Sequence, residues 1–156
     1  MLRNKNDKLG RYFQELIVGK SYIHSHTKKI TDEEHRQFCK ITMNRHPLHL
    51  DEESAQKTQF GRIVVVGTYI ASIVVGISVE DISGKAIANL EYEKIIHHNP
   101  VFIGDTIRAE TKVIDKRKSV SKPDRGIVHV ETKAFNQNDI LVLSLRRKIL
   151  IPLRKK

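Results

Sequence analysis

The sequence has few of the residues that cross-link a protein or divide it into parts. Cys39 is the single cysteine among 156 residues, so no internal disulfide can form. No Cys/His spacing typical of a zinc site is present, and a lone thiol suits a reducing compartment. Glycine and proline are sparse, and there is no repeat or low-complexity linker. We therefore expect residues 1–156 to form one domain, which is an ordinary domain size.

Long apolar segments are also scarce. Residues 1–10 are charged and lack the apolar stretch of a signal peptide. Residues 63–79 carry no charge, but this run is short for a bilayer span, which needs about 20 mostly apolar residues. It also contains Gly67, Ser72 and Gly76. These features predict a buried helix, no membrane association and a cytoplasmic location.

The formal net charge is +10, and basic residues are concentrated at 116–118, 122–125 and 146–156. Three interpretations fit this pattern: a solvated basic surface, a nucleic-acid-binding surface, or a surface that attracts a small polyanion. Composition alone is compatible with all three. No helix-turn-helix pattern accompanies the clusters, so nucleic acid is not the partner we expect.

The first half of the chain predicts one strand followed by helices. Residues 20–29 alternate loosely and predict a strand. Thr31 and Glu34 have the spacing of a capping box, which predicts a helix over about 32–42. The inward-facing side chains of this helix should be Phe38, Ile41 and Cys39. Pro47 predicts an irregular loop over 43–50, and Asp51 can cap a short helix that ends at Gly61.

The second half predicts a long buried helix and then four strands. The helix should run from about Gly67 to Glu80, apolar on nearly all sides as in a helix surrounded by a sheet. A period of two residues follows, with turn residues between the segments. The predicted strands cover 86–97, 105–117, 126–137 and 140–152. This order predicts an α+β domain in which an antiparallel sheet packs on a helix.

Two segments, Asn44 to Asp51 and Pro100 to Asp105, carry motifs in a set order. Together they resemble motifs of the MaoC-like (R)-specific enoyl-CoA hydratase/dehydratase family, and the resemblance covers about residues 20–152. Members carry Asp-x-Asn-Pro-(Ile/Leu/Val)-His-x-Asp, then an alanine, an aromatic-glycine pair and a glycine that opens the central helix. They also carry Pro-Val-x-x-Gly-Asp between later strands. The matching positions here are Asn44 to Asp51, Ala55, Phe60-Gly61, Gly67, and Pro100 to Asp105.

The chain departs from the family pattern at four positions. The family's catalytic aspartate corresponds to Asn44, and its asparagine before proline corresponds to His46. Val66 replaces a histidine common before the helix-opening glycine, and Val75 replaces a serine common on the helix. Around Asn44 to Asp51 the chain looks similar to a branch that hydrates branched dicarboxylic CoA esters such as mesaconyl-CoA.

The resemblance implies a hotdog fold, an antiparallel sheet wrapped around a long central helix. It also implies hydration of a short 2-enoyl-CoA, including branched or dicarboxylic ones, by a homodimer or a dimer of dimers. The substrate's own CoA is the only cofactor expected, and the basic surface would then serve its phosphates. The implied catalytic residues are His49 and Asn44, Gly67 binds the thioester oxygen, and Arg45 and His46 contact the substrate.

These roles agree with the chemistry of the residues. A neutral histidine such as His49 can exchange a proton with water near pH 7. Asparagine does not titrate, so Asn44 can orient a water molecule but cannot act as a base. The amide of Gly67, at a helix N-terminus, can stabilise an oxyanion. Helix capping accounts for Asp51 and turn chemistry for Asp105.

Other interpretations remain open at this stage. Gly67 is also explained by close helix packing, and Arg45 with His46 by an exposed loop. His97 and His98 have no third ligand nearby in sequence, so no metal site is expected. An acyl-CoA thioesterase on the same fold is one alternative function, although it normally needs a carboxylate where Asn44 stands. A non-catalytic acyl-CoA-binding or regulatory protein is the other.

Overall fold

A computed structural model describes residues 9–155. Within these residues four α-helices are present, α1 (Asp32–Ile41), α2 (Pro47–Leu50), α3 (Glu52–Gln56) and α4 (Gly67–Ile77), with a 3-10 turn at Phe13–Glu15 and a π-helical turn at Val79–Ser83. The six strands are β1 (Ser21–Ile23), β2 (Lys28–Lys29), β3 (Ala88–His97), β4 (Thr106–Lys118), β5 (Arg125–Phe135) and β6 (Leu141–Pro152). The predictions that concern residues 1–8 and 156 lie outside the described residues.

All strands pair in antiparallel fashion. The order across the sheet is β1-β4-β5-β6-β3, and β2 also pairs with β4. Because β4, β5 and β6 follow one another along the chain and in the sheet, they form a meander joined by short turns. The predicted α+β class is confirmed, and the observed bounds of β3 to β6 lie within two residues of the predicted ones.

Helix α4 packs across β4, β5 and β6 and forms the centre of the main core. The face of α4 that points away from the sheet is less apolar than predicted. Thr68, Ser72 and Gly76 lie along it at a spacing of four residues and are exposed. The buried side of the helix consists of Tyr69, Ile70, Ala71, Val74 and Ile77. The helix is 11 residues long. Within residues 9–155, no helix combines the length and the apolar character needed to cross a membrane.

Two predicted elements have different bounds in the structure. The strand predicted over 20–29 is divided into β1 and β2, because the four residues 24–27 lie opposite only two residues of β4, 108–109, and the pairing is interrupted there. In this interval the His24 ring bonds to Asp81 Oδ2 (2.9 Å) and Thr111 Oγ1 (2.8 Å). The helix predicted to reach Glu80 ends at Ile77, where the hydroxyl of Ser78 donates to the carbonyl of Val75. The π-helical turn Val79–Ser83 then carries Asp81 towards His24.

Helices α1 and α2 also differ in part from their predictions. Thr31 caps α1 as expected, but the Glu34 carboxylate accepts from the Thr31 hydroxyl and from Lys28 rather than from the cap amide. Ile41 was predicted to face inward and is 71% exposed, whereas Cys39 is buried. The predicted irregular loop over 43–50 contains α2, because Pro47 at the first helical position has its φ angle already set for a helix.

Candidate active site

A cavity of about 600 Å³ opens where α2, the start of α4 and the end of β3 meet. It brings together three residues that the sequence singled out, Asn44, His49 and Gly67. The remaining wall consists of Phe60, Val64, Val65, Val66, Thr68, Ile70, His97, His98, Asn99, Pro100, Val101 and Val142. A mostly apolar wall with a few polar groups is typical of a small-molecule site.

His49 is held in one orientation by the backbone. It lies in the turn of α2, and its Nδ1 atom is 2.6 Å from the carbonyl oxygen of Val64. A carbonyl oxygen can only accept, so Nδ1 carries the proton and donates it to this bond. In the neutral ring, Nε2 is then left with a free lone pair. This tautomer is the one that can accept a proton from a bound water.

Asn44 reaches the cavity because the chain turns sharply after α1. Met43 adopts a left-handed conformation with φ 58°, and the amide of Asn44 then donates to the carbonyl of Cys39. The Asn44 Oδ1 atom accepts from the amide of His46 at 3.0 Å. This bond orients the side chain and leaves its NH₂ group as the donor available to a water or a substrate.

Gly67 is the first residue of α4. The residue before it, Val66, makes no side-chain capping hydrogen bond to the helix. The first amides of a helix have no partner within the helix and can therefore bind an anionic oxygen. A Cβ atom at position 67 would lie 2.5 Å from Cε1 and 2.7 Å from Nε2 of His97. The glycine is thus also required for the close approach of this ring.

The other predicted site residues do not line the cavity. Arg45 and His46 are both exposed. His46 Nδ1 accepts from the amide of Leu48 at 3.2 Å, and its ring lies 5.5 Å from the ring of His49. Their contact with substrate stays a prediction. Asp51 caps α3, and the hydrogen bond from the Ser54 amide holds the pKa of its carboxyl below the ordinary value.

Three histidines at the site were not predicted as functional. His97 and His98, at the end of β3, were considered for a metal alone, yet both line the cavity. His98 Nε2 also bonds to Ser144 Oγ at 2.9 Å. His35 on α1 lies behind the cavity wall, fully buried, and its ring meets that of His49 edge-on with centroids 6.3 Å apart. In the sequence, His35 stands three residues before Phe38 and four before Cys39, which is the spacing of one helix face. This spacing was the signal that could have identified it.

The cavity wall is free of formal charge when its imidazoles are neutral. Of the described residues that line it, none is an aspartate, glutamate, lysine or arginine. Within residues 9–155, no three histidine, cysteine or acidic side chains are grouped so as to hold a metal ion. The groups available for chemistry are therefore imidazoles, carboxamides and backbone amides.

Comparisons with known proteins identify relatives of this chain. Mesaconyl-CoA hydratase of Cereibacter sphaeroides is 32% identical over 91% of this chain, which spans 41% of that protein's length. The chain thus covers less than half of this relative. The (R)-specific enoyl-CoA hydratase of Aeromonas caviae is 30% identical, and the match covers 74% of this chain and 81% of that protein.

The fold has solved counterparts. A conserved hypothetical protein of Mycobacterium tuberculosis, described as a double hotdog fold, superimposes with a TM-score of 0.86 at 22% identity, over 94% of this chain and 46% of that one. This similarity confirms the hotdog arrangement predicted from the sequence. The family model "MaoC like domain" matches residues 13–135, which include His49, Gly67 and both predicted motifs. The chain therefore belongs to the MaoC-like domain family.

Proposed function

We propose that this chain catalyses the reversible addition of water to a short 2-enoyl-CoA. The observation that carries the proposal is the cavity in which His49 presents a free Nε2 and Gly67 presents a helix N-terminal amide. A base and an oxyanion donor on one cavity are the two groups that such a hydration needs. The relatives named as hydratases of CoA thioesters support the same reaction.

The proposed steps follow from the two groups. Nε2 of His49 takes a proton from water, and the water oxygen bonds to C3 of the enoyl group. The electron pair of the C2–C3 double bond moves towards the thioester, whose oxygen becomes an enolate and is stabilised by the Gly67 amide. C2 then takes a proton back from the imidazolium of His49. Water has been added across the double bond, and the histidine is neutral again.

In this mechanism Asn44 orients the water and does not titrate. Its Oδ1 is engaged by the amide of His46, so its NH₂ group donates to the oxygen of the water. The water then presents a proton to His49. Asn44 and His49 thus hold one water in the orientation that the reaction needs. Correct orientation raises the rate, and no second titrating side chain is required for it.

The proposed substrate range includes branched and dicarboxylic acyl groups. The cavity wall has three imidazoles, of His49, His97 and His98, and no carboxylate among the described residues that line it. The free carboxylate of a dicarboxylic acyl group therefore meets no like charge there. We also propose that surface lysines and arginines attract the CoA phosphates, and that CoA is the only cofactor required. Cys39, unpaired and buried, suits the cytoplasmic location expected from the sequence.

A homodimer belongs to the same proposal. β3 pairs with β6 on one side, and its other edge has no neighbour among the described strands. Its side chains are mostly exposed, including Leu90, Tyr92 and Ile95. An exposed edge with apolar side chains is typical of a surface that pairs with another chain. Because β3 ends at His97, a second copy on this edge would lie beside the cavity.

One experiment separates the candidate functions. The purified protein is incubated with a panel of 2-enoyl-CoA and saturated acyl-CoA thioesters, and the product masses are measured. A gain of one water on the enoyl thioesters supports the hydratase. Release of free CoA from saturated thioesters indicates the thioesterase instead, and no change in any thioester indicates a binding protein.

A further inference from the structure

The backbone that leads to Gly67 is tied down at every residue. The amide of Val64 donates to the carbonyl of Leu48, and its own carbonyl accepts from His49 Nδ1. The amide of Val65 donates to the carbonyl of Val101. These contacts fix residues 64 and 65, so the direction of the next amides depends on what holds Val66.

The amide of Val66 is held by His35. The distance from Val66 N to His35 Nε2 is 3.1 Å, and both residues are buried. A buried amide without an acceptor is strongly unfavourable, so this bond explains why a polar ring occupies the interior. The next amide along the chain is that of Gly67, the proposed thioester donor. His35 thus acts one peptide before the atom that touches the substrate.

The hydrogen bond requires one tautomer and one charge state of His35. Because Nε2 accepts, the proton of the neutral ring is on Nδ1. Nδ1 is buried and has no hydrogen-bond partner among the described residues. A protonated ring has no lone pair left at Nε2 and would turn a donor towards the Val66 amide. The bond therefore exists only while His35 is neutral.

The groups around His35 keep it neutral. Burial is the largest cause that lowers the pKa of His35, and the nearby His49 lowers it further. Asp32 raises this pKa, and Arg36 lowers it. Cys39 Sγ lies 3.7 Å from Nε2, and the ring centroids of His35 and Tyr69, on α4, are 6.0 Å apart. When His49 gains a proton during turnover, its charge makes protonation of His35 still less favourable.

We propose that His35 is a positioning residue, whose neutral imidazole holds the Val66 amide so that the Gly67 amide is aimed at the thioester oxygen. The inference rests on the proposed hydration. It assigns a role to a side chain that does not itself reach the cavity. A small error in the direction of an oxyanion donor reduces the rate without abolishing binding. Loss of the His35 hydrogen bond should therefore change kcat more than KM.

The test compares His35→Leu, which lacks an acceptor, with His35→Gln, whose carboxamide oxygen can accept at a similar reach. Ile30→Ala is the control, because Ile30 is equally buried in the same core and has no polar side-chain atom. We expect kcat for crotonyl-CoA to fall at least about tenfold in His35→Leu and to recover most of that loss in His35→Gln. KM should change less than threefold, and Ile30→Ala should keep near-normal kcat below its melting temperature.

A second readout reports on the thioester itself. The absorbance of bound 2,4-hexadienoyl-CoA moves to longer wavelength when its carbonyl oxygen is polarised by a hydrogen bond. We expect this shift in the unmodified protein and in His35→Gln, and a smaller shift in His35→Leu. An unchanged shift and unchanged kcat in His35→Leu would overturn the role of His35 and leave the hydratase intact. If the unmodified protein neither hydrates enoyl thioesters nor shifts the probe, the proposed function itself fails.

A third measurement needs no variant, so it holds even if His35→Leu does not fold. In protein labelled with ¹⁵N-histidine, the chemical shifts of the ring nitrogens distinguish the two neutral tautomers. The proposal expects His35 with its proton on Nδ1 at pH 7. A proton on Nε2, or a charged ring, would overturn it, because neither form can accept from the Val66 amide.

Discussion

The Nδ1 atom of His49 lies 2.6 Å from the carbonyl oxygen of Val64, a residue 15 positions further along the chain. This hydrogen bond joins α2, which carries the proposed base, to the segment that carries the proposed oxyanion donor. It fixes the tautomer of His49 and the position of the backbone before Gly67 at once. The base and the donor are thus parts of one hydrogen-bonded unit.

Replacement of His49 by alanine should lower kcat on the order of a hundredfold, the usual contribution of a general acid–base group. Steady-state kinetics with crotonyl-CoA measures this change. A suitable control is His129→Gln, because His129 is on β5, pairs with Glu93 and is absent from the cavity wall. Near-normal kcat in a folded His49→Ala protein would exclude His49 as the base.

Replacement of Gly67 by alanine should destabilise the protein through His97. The added Cβ would lie 2.5 Å from the His97 ring, so the ring must move, and overpacking of this kind costs about 1–3 kcal/mol. In the His97→Ala background the same change should be neutral or slightly stabilising, since alanine favours a helix over glycine. Urea denaturation of the four proteins measures the coupling. Equal destabilisation in both backgrounds would mean that the ring is not the reason for the glycine.

Much of the fold follows from patterns that are local in sequence. The alternation of apolar residues in β4 to β6, with turn residues between them, predicted the strands to within two residues. Thr31 and Asp51 predicted the starts of α1 and α3, because a capping side chain acts within three residues of its own position. The predicted bounds of β1 and α4 were wrong. Two extra residues within 24–27 interrupt the pairing with β4, and α4 ends where the hydroxyl of Ser78 donates to the carbonyl of Val75.

The site was predictable to the extent that its residues lie in motifs. Asn44, His49 and Gly67 do, and the fold brings them together. His97 approaches Gly67 from the far end of a strand, and His35 bonds to an amide 31 positions away. No local pattern encodes either contact. His35 was detectable as a polar residue on the inward face of α1, but its acceptor role depends on the tertiary structure.

Replacement of Leu90 by lysine should separate the proposed homodimer. Leu90 is 49% exposed on the free edge of β3, where a buried lysine would have to lose its hydration. Val120→Lys is a matched control, because Val120 is 96% exposed in the turn between β4 and β5. Sedimentation velocity should give a dimer for the unmodified protein and the control, and a smaller species for Leu90→Lys. Dimers in all three would place the interface elsewhere.

The free energy of unfolding should depend on pH through His35. Burial lowers the pKa of His35 in the folded state from its ordinary value of 6.5. The unfolded chain therefore binds a proton near pH 6.5 that the folded protein does not bind, and stability rises with pH in that window. The contribution is complete above about pH 6.5 and is lost as the pH falls below it.

His35→Gln removes this titration while the other histidines remain. We expect the stability of the unmodified protein to fall relative to that of His35→Gln between pH 7 and pH 5, in urea denaturation at constant ionic strength. Parallel curves over this range would show that His35 titrates alike in the folded and unfolded states.

Replacement of Asn44 by aspartate tests whether the carboxamide holds the water. If Asn44 lies beside the water, a carboxylate there should keep or raise the hydration of crotonyl-CoA. It should impair an enoyl-CoA that carries its own carboxylate, because two like charges would be brought together. The matched variant Asn44→Ala should lose activity on both substrates, since neither donor nor acceptor remains.

The pH profile of kcat/KM distinguishes the roles of position 44 further. In the unmodified protein position 44 contributes no ionisation to the profile, because asparagine does not titrate. Asn44→Asp should add an ionisation in the carboxylate range, at about 4 or somewhat above, that the unmodified protein lacks. The difference between the two profiles isolates this group from any other acid in the protein. Identical profiles, together with unchanged activity of Asn44→Asp and Asn44→Ala on both substrates, would place Asn44 outside the reaction, and His49 would then have to orient its water without it.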